Sequence, residues 1–337
     1  MPGDIDVIHH PGLIVRDIEA TVSQYEKLGF LFTPLSLHKI TIDRDKEPVY
    51  FAAGNRTAVF ERNFLEIVGI VDPQRWSQIP IAQRGPFNVD ERLKVYEGLH
   101  ILHLGADDIE AVRARFQREG IPCSGVAAVQ RPVDTPDGER TMKALSMQYA
   151  MGANPEALTQ IAQHLTPEVA LHPHYIRHRN GARALTEVII CDSNPREMAA
   201  KYARYTGREA ERSGAFHLVR LPHSRIIAVD PDGLQEMVPG YEPPILPFLA
   251  AFTVATSSLA AAREVLEINR VATIDNGARR FFSLDLTCGI RRNARSPAPS
   301  ASWSRRLDCP VSGTVSNGSA FRAEAWFIGW RWRCATS

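Results

Sequence analysis

The sequence predicts an α+β protein built from repeated βαβββ units arranged as two pseudo-duplicated halves. Three observations carry that expectation. A strand-like run over residues 7–15 hands off directly to an amphipathic helical pattern that stops at Gly29. The same order of elements returns at residues 98–121, with Asp-Ile-Glu-Ala standing at both 17–20 and 108–111 and Gly120 closing the second copy. A looser third copy spans residues 182–207 and a fourth spans 248–272. Internal self-similarity of this kind points to repeat architecture before any other fold is considered.

Each element follows from local chemistry. Residues 7–15 are rich in β-branched and apolar side chains, which suit a pleated strand. Asp17 is a natural N-cap, because its carboxylate can accept from an unpaired N–H of the first helical turn. From Ile18, the apolar residues Val22, Tyr25 and Leu28 recur three to four apart with polar residues between them, and Gly29 supplies the stop. Residues 31–42 then alternate like an exposed-face strand, and the polar residues 43–48 turn the chain. Two strands follow at 49–62 and 64–71, the second apolar almost throughout except at Glu66. A carboxylate in an apolar strand is costly unless it is paired or bound to a cation. On an exposed sheet face it would carry no such meaning.

Residues 72–97 read as a connector ending in a short helix. The second unit continues with strands over 123–133 and 141–153, separated by a Pro-Asp-Gly turn at 136–138. Its last strand, 158–165, carries His164 roughly where Glu66 stands in the first unit. The third unit reads as a helix to Gly207 followed by strands at 215–221, 225–231 and 234–238. Four histidines, His164, His172, His174 and His178, crowd the join between the second and third units. His172 and His174 are expected as solvated linker residues, since no cysteine lies at zinc-finger spacing from them.

Composition narrows the function. The chain has 337 residues, 44% hydrophobic and 23% charged, with a net charge of +1. That is enough for two domains with real cores, and it supplies no global field for nucleic acid or an anionic membrane. No apolar run approaches the roughly 18 residues of a membrane helix and no leader pattern opens the chain, so a cytoplasmic location is expected. The five cysteines are scattered and form no Cys-x-x-Cys, which disfavours a disulfide framework and a zinc ribbon. Cys123 and Cys191 are expected as small buried hydrophobes.

The residues carry a family resemblance. His10 on a first strand, Val15-Arg16-Asp17-x-Glu19-Ala20, the helix end Leu28-Gly29-Phe30 and the late strand Phe64-Leu65-Glu66 resemble the vicinal oxygen chelate superfamily of glyoxalases, bleomycin-resistance proteins and extradiol dioxygenases. Gln163-His164-Leu165-Thr166-Pro167-Glu168 and His178-x-Asn180-Gly181-Ala182 are most similar to its bacterial glyoxalase-like proteins. The resemblance covers residues 6–286 and is most specific over the first 185.

What the resemblance implies is an open barrel of curled mixed sheets, with ligands from the first and last strand of each unit meeting on one divalent metal. Carried over position by position, His10 and Glu66 come from the first unit, His100 or His103 and His164 from the second. Aligning the Asp-Ile-Glu-Ala runs puts Ile101 opposite His10, whereas the histidine spacing to the following Asp favours a register one residue away. A one-residue slip turns a strand side chain to the other face, so His100 and His103 cannot both point inward. His103 is preferred, because it shares parity with Ile101.

Two His and one carboxylate suit Fe(II), Mn(II) or Zn(II), with Glu66 also the implied catalytic residue. The implied activity is a lyase, isomerase or dioxygenase reaction on a small organic substrate with adjacent oxygens, and a second copy of the chain is a further expected partner. The alternative is a metal-free binding or resistance protein on the same barrel.

The expected domains are residues 1–172, 174–290 and an irregular tail, 291–337. In the second half, Leu185, Thr186 and Glu187 stand where a dioxygenase of the superfamily places a His, and His217, His223 and Glu236 read as surface or turn residues. The tail holds four of the five Trp, eight Arg and no Lys, without strand or helix period. It is expected to stay out of the fold, either as a reading-frame change in the source sequence or as a disordered basic extension.

Overall fold

The repeated helices begin where the sequence supplies a side-chain cap. Asp17 accepts from the Ala20 N–H at 2.9 Å, Asp108 from Ala111 at 3.0 Å, Asn194 from Glu197 at 3.4 Å and Ser258 from Ala261 at 3.1 Å. Each cap satisfies one N–H that the helix itself leaves orphaned. The computed structural model describes residues 4–40, 49–84, 88–238, 241–275, 280–285 and 324–331.

The first unit comprises β1 (Val7–Ile14), α1 (Ile18–Lys27), β2 (Ser36–Ile40), β3 (Val49–Val59) and β4 (Phe64–Ile70). A connector carries α2 (Pro73–Gln78) and α3 (Val89–Val95). The second unit is β5 (Gly98–Gly105), α4 (Ile109–Arg118), β6 (Ala127–Thr135), β7 (Gly138–Gln148) and β8 (Leu158–His164), followed by the short α5 (Pro167–Ala170). The third contains β9 (Ala182–Cys191), α6 (Pro195–Thr206), β10 (Ala210–Ser213), β11 (Phe216–Arg220) and β12 (Arg225–Val229), then α7 (Pro231–Met237). The fourth has β13 (Phe248–Thr256), α8 (Leu259–Ile268), β14 (Thr273–Asp275), β15 (Arg280–Asp285) and β16 (Glu324–Arg331). No helix among the described residues is long and apolar enough to cross a membrane.

These strands form two mixed eight-stranded sheets, in the orders β2-β3-β4-β1-β5-β8-β7-β6 and β10-β11-β12-β9-β13-β16-β15-β14. In the first three units the last strand returns parallel to the first, and the first strands of paired units run antiparallel side by side. The first sheet curls until its two edges meet, with Arg131 Nη1 on β6 reaching Ser36 Oγ on β2 at 3.2 Å.

One apolar cluster joins the helices to the sheets of both halves, with Tyr25, Phe60, Phe116, Tyr202 and Phe252 among its largest members. A smaller one lies inside the curl of the first sheet, where Ile14, Val68, Ile101 and Leu158 meet Trp76 and Val89 from the connector.

The halves are joined by polar struts that the linker sequence supplies. His178, at the join between the second and third units, is buried: its Nδ1 accepts from Leu31 N–H at 2.9 Å and its Nε2–H donates to the Val59 carbonyl at 2.8 Å. Asn180 donates to the Leu28 carbonyl at 2.8 Å. Gly29 sits at φ +91°, and a Cβ there would stand 2.9 Å from both the Asn180 Cβ and a Val265 methyl, so a side chain would part the first helix end from the second half.

Three expectations are corrected. Residues 234–238 form no strand, because Asp230 caps α7 through the Gly233 N–H and Pro231 opens it at N1. Of the expected strand 31–42, the described part 31–40 is extended over Ser36–Ile40 only, and residues 41–42 lie outside the described residues. Glu324–Arg331 of the tail is a strand, pairing antiparallel with β13 and parallel with β15, although the last strands of the other units run parallel to their first strand. A hairpin forces antiparallel neighbours, whereas residues 286–323 intervene between β15 and β16 and leave the direction free. The rest of the tail, the turn at 43–48 and Cys288, Cys309 and Cys334 lie outside the described residues. Cys191 is buried and Cys123 half-buried, and both are free.

Asn63 locks β1 to β9: its Nδ2 donates to the Ile8 and Leu185 carbonyls at 3.2 and 2.8 Å, and its Oδ1 accepts from the Leu185 N–H at 3.0 Å. Asn63→Ala strands three buried backbone groups and is expected to cost about 2–4 kcal/mol. Urea unfolding measures this, and a loss under about 0.5 kcal/mol, the range of an ordinary surface change, would show that the strut is not structural.

Candidate functional site

The antiparallel ladder between β1 and β5 builds the site. His10 lies opposite His103, Pro11 opposite Leu102 and Gly12 opposite Ile101. The shift that carries Asp17 onto Asp108 also carries His10 onto Ile101 and Gly12 onto His103, so these pairs map onto one another about a local two-fold at Pro11 and Leu102. The two units therefore share one interior.

Into it project His10 and His103, 6% and 7% exposed, with ring centroids 4.2 Å apart. Glu66, opposite Gly12 on β4, is 9% exposed. Its Oε2 is 3.6 Å from His10 Nε2, and its Oε1 accepts from the Asn55 amide on β3. Gly12 makes room for this contact, since a Cβ there would be 3.0 Å from Ile101 and 3.4 Å from Glu66 Oε2. Phe64 stacks on His10 with centroids 4.3 Å apart and planes at 15°.

His100 occupies the opposite face of β5, stacked on Tyr96 with its Nε2 2.9 Å from the Tyr96 carbonyl. His172 is at the surface beside Asp137, and His174 is exposed.

His164 calls for a correction. His103 faces Gln160 on β8 as Gly12 faces Glu66 on β4, so Gln160 and not His164 is the counterpart of Glu66. The strand continues four residues beyond that register, and the even spacing keeps His164 on the same face. It joins the cluster at the rim, with its ring centroid 4.2 Å from that of His9.

His9 is a participant that sequence alternation conceals. A β-bulge between Ile8 and His10 leaves His9 as the extra residue on β1, which re-aims it beside its neighbour. The two Nδ1 atoms are 2.7 Å apart, so one ring donates to the other. Asn55, Arg131 and Gln160 were likewise not foreseen, because each is an ordinary polar residue in a half-polar strand until the sheet curls.

Burial sets the electrostatics. Desolvation lowers all four site imidazoles, His103 to about 3 and His164 to about 4, with the neighbouring histidines adding to the effect at His9 and His10. The rings are neutral near pH 7. Burial raises the Glu66 carboxyl, while Arg131 and the Asn55 amide oppose the rise.

The glyoxalase-like domain family matches residues 8–206, more than half of the 337-residue chain. The chain belongs to the glyoxalase-like domain family. It is thereby a member of the vicinal oxygen chelate superfamily, and the matched segment contains every residue of the site. No curated protein matches it. Solved structures with a similar chain path include a hypothetical protein from Staphylococcus aureus, with 12% identity, 66% of this chain and 85% of that one covered, and a TM-score of 0.49. Others are a 4-hydroxymandelate synthase variant from Streptomyces coelicolor (13%, 82% and 78%, 0.46) and a Mn(II)-bound glyoxalase from Novosphingobium aromaticivorans (12%, 80% and 73%, 0.41).

Whether this glyoxalase-like interior fits a metal is decided by its donors. Among the described residues no three His, Cys, Asp or Glu side chains stand in an already formed ion site. The donor chemistry fits nonetheless. His103 Nε2, His9 Nε2 and both ring nitrogens of His164 are buried without a hydrogen-bond partner. The 3.6 Å between His10 Nε2 and Glu66 Oε2 is too long for a strong hydrogen bond and within the span of two bonds of about 2.1 Å to one ion. A cleft of about 380 Å³ at the end of α4, lined by residues including Arg113, Phe116 and Cys123, contains none of these groups.

Neutral buried imidazoles make stability pH-dependent. A histidine whose folded pKa is depressed contributes no penalty above its unfolded value of about 6.5, and destabilises the native state as the pH falls through the window below it. For His103 that window runs from about 6.5 down to about 3. The slope is about 1.4 kcal/mol per pH unit for each such group. Metal-stripped wild-type protein is expected to lose urea stability steeply between pH 6.5 and 5, and His103→Gln to lose it less steeply. Parallel slopes would contradict the buried neutral state.

Proposed function

We propose that this chain is a metal-dependent enzyme of the vicinal oxygen chelate type, acting as a lyase, isomerase or dioxygenase on a small organic substrate with adjacent oxygens. The observation that carries the reading is the approach of His10 Nε2 to Glu66 Oε2 beside the unpartnered Nε2 of His103, in an interior of neutral rings. Unprotonated nitrogens and a carboxylate are all acceptors, and such a group is satisfied by a cation. His10, Glu66 and His103 would hold the ion, with His164 at the rim. Two imidazoles and a carboxylate suit Fe(II), Mn(II) or Zn(II). A bound ion of this kind supplies Lewis-acid polarisation of the substrate oxygens.

The chain's own residues prepare that chemistry. If the His10 Nδ1–H donates to His9 Nδ1, the lone pair of His10 Nε2 faces Glu66, which is how a neighbouring acceptor fixes a ligating tautomer. Asn55 pins one Glu66 oxygen and leaves the other free. A carboxyl whose affinity for protons is raised by burial can take a proton at Oε2 from a neighbouring substrate carbon when that oxygen is not engaged as a ligand, and return it to the product. Phe64 over His10 and the apolar floor of Ile14, Ile101 and Trp76 keep water from the donors.

A second reading, a metal-free small-molecule binder, draws on the ring wall of Phe64, His9, His10 and His164, which can stack on a planar ligand without any ion. Metal uptake separates the two. Stripped protein titrated with Mn(II), Fe(II) or Zn(II) is expected to take up about one ion per chain, with affinity falling at least about tenfold in Glu66→Gln and His103→Ala at unchanged circular dichroism. Absence of uptake, or equal affinity in Glu66→Gln, sinks the enzyme reading and leaves the binder.

A further inference from the structure

Among the described residues, the buried Arg84 and Arg115 and the half-buried Arg225 each carry a carboxylate. Arg84 pairs with Asp90 at 2.6 Å, Arg115 with Asp4 at 2.7 Å, and Arg225 with Glu187. That is the expected compensation for taking a guanidinium out of water. Arg131 departs from the pattern. It lies on edge strand β6 opposite Met142, and its side chain crosses the mouth of the curled sheet. Its Nη1 donates to Ser36 Oγ at 3.2 Å and to Asn55 Oδ1 at 3.4 Å, both neutral acceptors. Its Nε is buried with no partner, and among the described residues no carboxylate comes within ion-pair distance.

The surroundings place its charge beside the interior. The positive charge is felt at Glu66, His10 and His164, all members of the cluster. Asn55 takes Arg131 on its carbonyl and gives its amide to Glu66, so guanidinium, amide and carboxylate form one fixed chain. Phe64, His164 and Arg131 are half-buried whereas His10, His103 and Glu66 are buried, which makes the first three the rim that an entering molecule passes.

We propose that Arg131 is the specificity residue for a carboxylate-bearing substrate, whose anion completes the guanidinium's unfilled Nε edge at the rim. This rests on the reading of the interior as a substrate site, though not on the metal. A guanidinium offers two parallel N–H donors to a carboxylate, and charge-assisted pairs of this geometry are about twice as strong as neutral ones. The alternative role is structural, with Arg131 merely stapling β6 to β2 and β3.

The test uses benzoate and benzamide, alike in shape and differing in charge, bound to the full chain with and without Mn(II) and followed by ligand-observed NMR. Wild type is expected to prefer benzoate by at least about tenfold, equivalent to about 1.4 kcal/mol. Arg131→Met should abolish the preference, and Arg131→Lys should keep part of it, since it retains charge without the planar fork. Thermal unfolding of both variants checks the fold, and a purely structural staple would lower their stability without changing the benzoate to benzamide ratio.

Equal binding of the two probes to wild type, no binding of either, or a preference that survives in Arg131→Met overturns the proposal. Mn(II) uptake without charge preference would leave the metal reading standing and remove this one. Charge preference through Arg131 without Mn(II) uptake would do the reverse.

Discussion

The site depends on one pairing, the antiparallel ladder in which His10 of β1 meets His103 of β5. Because the pairs on either side of Pro11 and Leu102 are related by the repeat, fixing one of them fixes the others. The parallel return of β4 beside β1 then brings Glu66 opposite Gly12, and the return of β8 beside β5 brings Gln160 opposite His103. Neither unit alone contains the donor set. A slip of one residue at this ladder would turn His103 away from the face that His10 and Glu66 share.

The second half shows what the same registers look like without that chemistry. Matching the helix caps Asp17 and Asn194 places Glu187 where His10 stands, and Thr253 faces Glu187 as His103 faces His10. Arg225 lies beside Glu187, and Ile227 falls where Glu66 would be. Glu187 accepts from Arg225 and from Thr253 Oγ1 at 2.7 Å, so its charge is compensated inside the protein. The asymmetry is chemical, since both sheets have the same strand order while, among the described residues, only the first holds buried imidazole nitrogens without a partner.

Much of this was legible from residue order. Caps, apolar period and terminal glycines mark the repeated helices, and parity within β5 separates His103 from His100. The remainder depends on events that period-two reasoning cannot express. A bulge adds His9 to the inner face, and the strand length beyond the Gln160 register puts His164 at the rim instead of opposite Glu66's counterpart. Asn55 and Arg131 acquire meaning only when the sheet curls far enough for β6 to reach β2, a tertiary property with no local trace. Residues 234–238 read as a strand because their alternation outweighed the Asp230-Pro231 helix start, and β16 had no period to announce it.

The central claim is that imidazoles from two different units share one cation. Pulsed electron paramagnetic resonance on Mn(II)-loaded protein containing ¹⁵N-labelled histidine addresses it directly. The account predicts hyperfine coupling from at least two directly bound imidazole nitrogens, reduced to one in His103→Ala. An ion with no imidazole coupling, held by surface carboxylates alone, would contradict it.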